Sequence, residues 1–230
     1  MKSETVRTAP APALDLDRPP VQRGGVADRD PRDTLAQAVA DVGFWRWWDE
    51  IFPNVFQLEF GGVQLWSPPT ADDRPPNGQY GLRFPKPVSV SFLTAAEAKV
   101  PADWADQLHA DKLRPFNVGH DSLTFRDADA ARHILAAAGR IDTRFGEDPW
   151  KVEWEHVPAL AAFWAGPVGC LVAAPELKLI GFAGEIPLAD VPAMAQKWWD
   201  YWKEYWRRKD TPEPFPRDYA CEVTIPMKEG

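Results

Sequence analysis

Cysteine is scarce: the 230 residues include only two, Cys170 and Cys221. Two cysteines cannot staple a chain of this length into a disulfide scaffold, and a chain this long can build a core without one. Both lie in apolar settings, Gly-Cys-Leu-Val and Ala-Cys-Glu-Val, with no basic neighbour to lower a thiol pKa. They read as small buried hydrophobes rather than nucleophiles. Long apolar runs are also missing, and none approaches the roughly 20 residues that a membrane-spanning helix needs. The stretch Met1 to Val6 has no apolar centre of the secretory kind, and Glu4, Asp15 and Asp17 do not suit a transit peptide. These absences lead to the expectation of a cytoplasmic protein with no membrane segment.

Positive charge is in deficit. The 34 acidic and 26 basic side chains leave a formal net charge of −8. Sequence-independent nucleic-acid binding needs many Lys and Arg contacts to phosphate, so no nucleic-acid partner is expected. The common signatures of chemistry are absent as well. There is no Gly-x-Gly-x-x-Gly or P-loop to cradle phosphates, no Gly-x-Ser-x-Gly elbow and no His-Glu-x-x-His. No cofactor and no metal site are expected.

What the chain has in quantity is tryptophan, 12 residues, and proline, 24. Residues 1–32 are Pro-rich with scattered charges and no apolar periodicity, which predicts a disordered, dispensable tail. Residues 33–230 then read as a single domain. Thr34 with Gln37 suggests a capping box, and Leu35, Ala38, Val39 and Val42 share one helical face. Phe44, Trp47, Trp48 and Ile51 continue at helical spacing on the opposite side of the same segment. Val55 to Phe60 and Val63 to Ser67 alternate around Gly61-Gly62, the pattern of a two-residue hairpin. Tyr80 to Phe84 and Val88 to Phe92 alternate too, so the four segments predict a meander with one apolar face. Further on, Asp127 suits a helix N-cap and Gly139 the end of that helix. Trp150, Val152 and Trp154 alternate as a strand, Val168–Ala173 and Leu177–Ala183 read as a second hairpin, and Tyr219 to Ile225 as a last strand. Strands and helices are segregated, which makes the fold class α+β: an antiparallel, meander-and-hairpin sheet packed by a few amphipathic helices.

The longest helix is expected from Asp190 to about Lys209. At about 100° per residue its apolar arc is about 160° wide, against the roughly 100° needed to pack on a core. Met194, Trp198, Trp202 and Tyr205 fall inside the arc and are expected to be buried. Trp199 and Trp206 fall at its edge beside Lys203, either covered by Pro212 to Pro216 or presented to a partner or ligand.

The chain also offers candidates for chemistry. The polar side of the meander would carry Gln57, Glu59, Gln64, Trp66, Gln79, Arg83, Ser89 and Ser91, a mixture suited to a sugar, peptide or protein surface, or simply to solvent. Glu153 and Glu155 lie two apart on an expected strand, roughly 7 Å apart at the backbone, as glycosidic carboxylates or as a wet charged ladder with Lys151. His109 and His133 belong to no recognisable pair, and His120 with His156 suggests buried, satisfied histidines more than metal ligands. Two functional readings follow. One is a non-catalytic binding or protein-interaction domain that uses aromatic-rich surfaces around Trp66, Arg83, Gln57, Gln64, Trp199 and Trp206, with a protein or small molecule as its partner. A basic partner neutralised by the acidic chain is one form of it. The other is a small hydrolase-like enzyme whose site gathers Glu59, Arg83, His120, Glu153 and His156.

Overall fold

In the computed structural model, which describes residues 29–40, 45–50, 54–66, 80–107, 123–181 and 183–208, the strands sort into two antiparallel sheets. The first takes β1 (Trp45–Glu50), β2 (Val55–Phe60), β3 (Tyr80–Pro85), β8 (Lys178–Gly181) and β9 (Gly184–Ile186), in the order β1-β2-β3-β8-β9. The second takes β4 (Ser89–Ala95), β5 (Ala138–Gly146), β6 (Ala159–Ala165) and β7 (Val168–Ala174), in the order β5-β4-β7-β6. The helices are α1 (Pro31–Val39), the single turn α2 (Trp104–Gln107), α3 (Ala128–Ala136) and α4 (Val191–Arg208). The α+β class with antiparallel sheets is the one expected from the sequence.

The main core lies between the sheets. Trp47, Phe56, Leu58, Phe60, Leu82 and Phe84 of the first sheet face Val90, Phe92, Phe163, Cys170 and Val172 of the second. Ring centroids 5.0 Å apart for Trp47 and Phe92, and 6.0 Å for Phe60 and Phe163, tie the layers together in tilted and edge-on geometry. A second cluster covers the other face of the second sheet. Leu93, Leu160, Ala162, Leu171 and Ala173 pack there against Ala131, Ile134 and Leu135 of α3 and against Trp154. Strands with both faces covered need no alternation, which is why Ala159–Ala165 and Val168–Ala174 are continuous apolar runs.

Several expected pairings are corrected by this arrangement. The Gly61-Gly62 hairpin does not form: β2 pairs with β1 and β3. Residues 61–66 leave the sheet and run between helices, where the Gln64 amide donates to the Ala38 carbonyl at 2.8 Å and the Trp66 amide to the Met194 carbonyl at 3.1 Å. Alternation records which side chains are buried; it does not choose what buries them, and Val63 and Leu65 are buried here beside helices. Nor are β3 and β4 neighbours in one meander, since the chain crosses between layers at Pro85-Lys86-Pro87, with Lys86 at a positive φ of 50°. Likewise β7 and β8 form no hairpin; Pro175-Glu176 is another crossing, and β7 pairs with β6 and β4.

Five local expectations also change. The stretch around Trp47 is strand rather than helix, in keeping with the β-preference of aromatic residues. Residues 149–151 and 154–156 form short 3₁₀ turns instead of a strand, because Asp148 caps the Trp150 amide at 3.1 Å and Pro149 takes the first helical position. Gly139 is not a helix cap but an extra residue within β5, at the register shift opposite Thr94/Ala95. At the N-terminus, residues 29–32 belong to α1 and its approach: Asp30 accepts from the Arg32 amide at 2.8 Å, and the Arg32 guanidinium donates to the Pro158 carbonyl. Pro31 and Arg32, assigned to the tail by the sequence pattern, are thus the first residues of α1. Thr34, expected to cap α1, lies within it and donates to the Asp30 carbonyl. Asp127 caps α3 as expected, and α4 spans the expected helix. Residues 1–28 and 67–79, His109, His120, Pro212–Pro216, Cys221 and the strand expected at Tyr219–Ile225 lie outside the described residues.

Two glycines should prove irreplaceable in equilibrium urea unfolding. Gly146 has φ of 67°, and a Cβ there would sit 1.9 Å from the Val88 carbonyl oxygen. Gly146→Ala should therefore cost about 1–3 kcal/mol. Gly62, at φ of 75°, should cost more than about 1 kcal/mol as Gly62→Val, through backbone strain rather than through a hairpin.

Candidate functional site

The outward face of the first sheet brings three of the expected residues together. The register sets Gln57 beside Arg83 and Glu59 beside Gly81. Gln57 Oε1 accepts from Arg83 Nε at 3.0 Å, and Gln57 Nε2 donates to Glu59 Oε1 at 3.0 Å. The amide lies flat over Gly81, whose missing Cβ leaves the space: a carbon there would be 2.7 Å from Gln57 Nε2. Gln57 is 5 % exposed as a result. One strand further, Lys178 pairs with Glu185 at 3.1 Å and Glu176 at 3.4 Å. The hydrogen bond to Glu185, then the charges of Glu176 and Glu185, raise the Lys178 pKa. The register sets Arg83 beside Lys178, so two cations are cross-strand neighbours, Arg83 held by the Gln57 amide and Lys178 by Glu176 and Glu185.

The other members of the expected polar face lie elsewhere. Gln64 and Trp66 belong to the segment between α1 and α4. Ser89 and Ser91 belong to the second sheet, where Ser89 Oγ donates to the Glu147 carbonyl at 2.7 Å and Ser91 Oγ to Thr143 Oγ1 at 3.3 Å. Gln79 lies outside the described residues.

Of the five candidate catalytic residues, Glu59 and Arg83 share the Gln57 network. Glu153 and His156 meet at 3.0 Å on the 3₁₀ turns beside α3, with side chains about four-fifths exposed. The two groups lie on different layers of the fold, and His120 is outside the described residues. The Glu153–His156 pair stands in water rather than in an apolar pocket. Glu155 is bound by Arg132. Among the described residues no group of three or more His, Cys, Asp or Glu side chains could hold a metal ion.

A groove of about 830 Å³ at the start of α3 was not visible in the sequence, because it needs Asp33 of α1 brought to Arg126, 93 residues away. Asp33, Thr124, Arg126, Asp127, Arg132 and Glu155 line it. Arg126 grips both Asp33 oxygens at 2.7 Å, with Asp30 at 3.8 Å, and these carboxylates raise its pKa. Arg132 joins Asp129 to Glu155. Both arginines thus have carboxylate partners inside the groove, and Asp127 already occupies the α3 N-terminus.

The aromatic residues of α4 form the other concentration of features. Trp66 is buried against Tyr201, ring centroids 5.6 Å apart, with the Lys197 ammonium 4.6 Å over its ring. It is core, not a member of the polar sheet face. Along the helix, Trp198 meets Trp199 at 4.9 Å and Trp202 at 5.8 Å, and Trp202 meets Tyr201 at 5.2 Å. Among the described side chains of α4 the buried ones are Val191, Pro192, Ala195 and Tyr201. Met194, Trp198 and Trp202, expected to be buried, are half-buried, and so are Trp199 and Trp206; the side chain of Tyr205 lies outside the described residues. The first turns of the helix are seated on the core, and the tryptophans beyond Ala195 are covered only in part.

No protein-family model, curated protein or solved structure matches this chain.

Cys170 lies between the sheets with no exposed surface, and burial pushes its thiol above the ordinary range. In a Cys221→Ser variant it should stay silent to a thiol reagent in native buffer and titrate fully in denaturant. Rapid native labelling would show that the two sheets separate readily.

Proposed function

We propose that the protein is a non-catalytic protein-binding domain whose contact surface is the tryptophan row of α4. The observation that carries this reading is the half-buried set Trp198, Trp199, Trp202 and Trp206 on successive turns of one helix. Trp198 presets the row through an edge-on contact with Trp199 and a tilted one with Trp202. Large rigid rings, already packed on one side, lose little side-chain entropy when a partner covers the other side, and tryptophan is enriched at binding hot spots for that reason. A helix surface is convex, which suits another protein's surface better than a small molecule, whose sites are concave. The α4 sequence carries Lys197, Lys203, Arg207 and Arg208 against Asp200 and Glu204. The acidity of the whole chain is therefore not concentrated on this row, and the partner it suits is an apolar patch with an acidic rim rather than a basic protein.

The enzyme reading draws less from the geometry. Its described candidates fall into two groups on different layers, one closed by Gln57 and one open to water. A cytoplasmic setting and the absence of a nucleic-acid partner belong to the same proposal. Among the described residues no helix is long and apolar enough to cross a membrane.

The test uses tagged full-length protein as bait beside Trp199→Ala and Trp206→Ala baits, followed by calorimetry with the purified partner. Each substitution should weaken binding by about tenfold or more, while melting temperature stays within a few degrees of the parent. Unchanged affinity in both variants, or a collapse of stability in both, would rule out the row as a contact surface.

A further inference from the structure

The two edges of the second sheet are treated differently. At the β6 edge, Thr124 exchanges two backbone hydrogen bonds with Ala162, at 2.9 and 3.0 Å, which caps that side. At the other edge, β5 is nine residues long and largely exposed, and among the described residues it pairs only with β4. A strand edge of this length presents a run of backbone donors and acceptors that another strand can complete.

Register shifts bound the regular part of β5. Arg144 is extra at one end, opposite Val90/Ser91, and Gly139 at the other, opposite Thr94/Ala95. Between them, Arg140 to Thr143 pair one-to-one with Thr94 to Ser91. Arg140 and Asp142 share the face on which Phe92 points to the core, and Ile141 takes the opposite face with Leu93. An antiparallel copy of this strand, related by a two-fold axis through Ile141, keeps each side chain on its own face. In that register Arg140 stands opposite the Asp142 of the second copy, Asp142 opposite its Arg140, and Ile141 opposite Ile141. Both charge pairs are attractive and the central contact is apolar, which is the favourable cross-strand pattern. Centring one residue later would oppose Asp142 to Asp142 and Arg140 to Arg144, so the sequence selects one register.

We propose that β5 is the contact of a symmetric homodimer, in which two copies join edge to edge and the second sheet continues from one to the other. The occupant is a second copy of this chain, chosen by the reciprocal Arg140–Asp142 pairs. The contact is separate from the α4 row, so either proposal can fail without the other. A strand-to-strand contact this short buries well under the roughly 1,600 Å² of a standard interface, which sets the association in the micromolar range or weaker.

Sedimentation velocity of the full chain over a micromolar-to-millimolar series tests it, with charge exchange as the diagnostic. Arg140→Asp alone sets four carboxylates together across the two-fold, and Asp142→Arg alone sets four cations together. Each should weaken dimerisation about tenfold or more, and the double variant, which restores opposite charges, should recover it to within about threefold. Hydrogen exchange on the unmodified chain gives a reading that no variant can confuse: amides within Arg140–Thr143 should gain protection as concentration rises. A chain that stays monomeric throughout the series overturns the proposal. So does a dimer indifferent to both single reversals, or protection that does not change with concentration.

Discussion

The central strands of the second sheet, β4 and β7, are covered on both faces, and most of the structure follows from that. One face meets the aromatic layer of the first sheet and the other meets α3. A strand in that position has no solvent side, so it cannot carry charge, and its polar groups must be small and paired. Ser89 and Ser91 meet this condition through the Glu147 carbonyl and Thr143. The small side chains of β6, at Ala159, Ala161, Ala162 and Ala165, leave room for Phe163 to reach Phe60 on one side and for α3 to approach on the other.

Charge is consequently displaced to the rims and the outer face of the first sheet. At one rim Arg144 of β5 reaches over Trp47 at 5.1 Å and to Asp49 at 3.4 Å, bridging the two sheets where they would otherwise part. On the outer face, Gln57 links Arg83 to Glu59. Beside α3, arginines 126 and 132 bind the carboxylates that α1, α3 and the 3₁₀ turns bring near. These exposed pairs contribute little individually; surface ion pairs are commonly worth about 0–1 kcal/mol. Their effect is to orient side chains around a groove that stays net acidic, while the aromatic layer supplies the cohesion. Helix α4 extends that layer outward, from Val191 and Ala195 in the core to tryptophans that are covered only in part.

Legibility in the sequence followed from how local each signal was. Helix α4 was readable because eighteen residues repeat one apolar arc, and the α3 N-cap because Asp127 acts on amides two and three residues away. The strands β2, β3 and β4 were readable from alternation. Strand β5 was not, because its two extra residues break the period and its edge position leaves it polar. Strand β6, apolar throughout, offered no alternation, whereas the equally apolar β7 was set off by the Pro175-Glu176 break after it. Around Trp150 the alternation misled, since a local Asp-Pro cap outweighed it.

The sequence by itself determined the α+β class, the long aromatic helix, and which side chains of β2 and β3 turn from water. Tertiary structure alone decided which strands became neighbours. Alternation states that Phe56, Leu58, Val63 and Leu65 must be buried, but burial is non-directional, and a facing sheet satisfies it as well as an adjacent strand or a helix. The Pro-containing joints at residues 85–87 and 175–176 carry the chain from one sheet to the other, and their turn chemistry is compatible with either course. The same reason scattered the polar candidates. Gln57 and Arg83 met because they are partners in register, whereas Trp66 and Ser89 went wherever their own segments were buried.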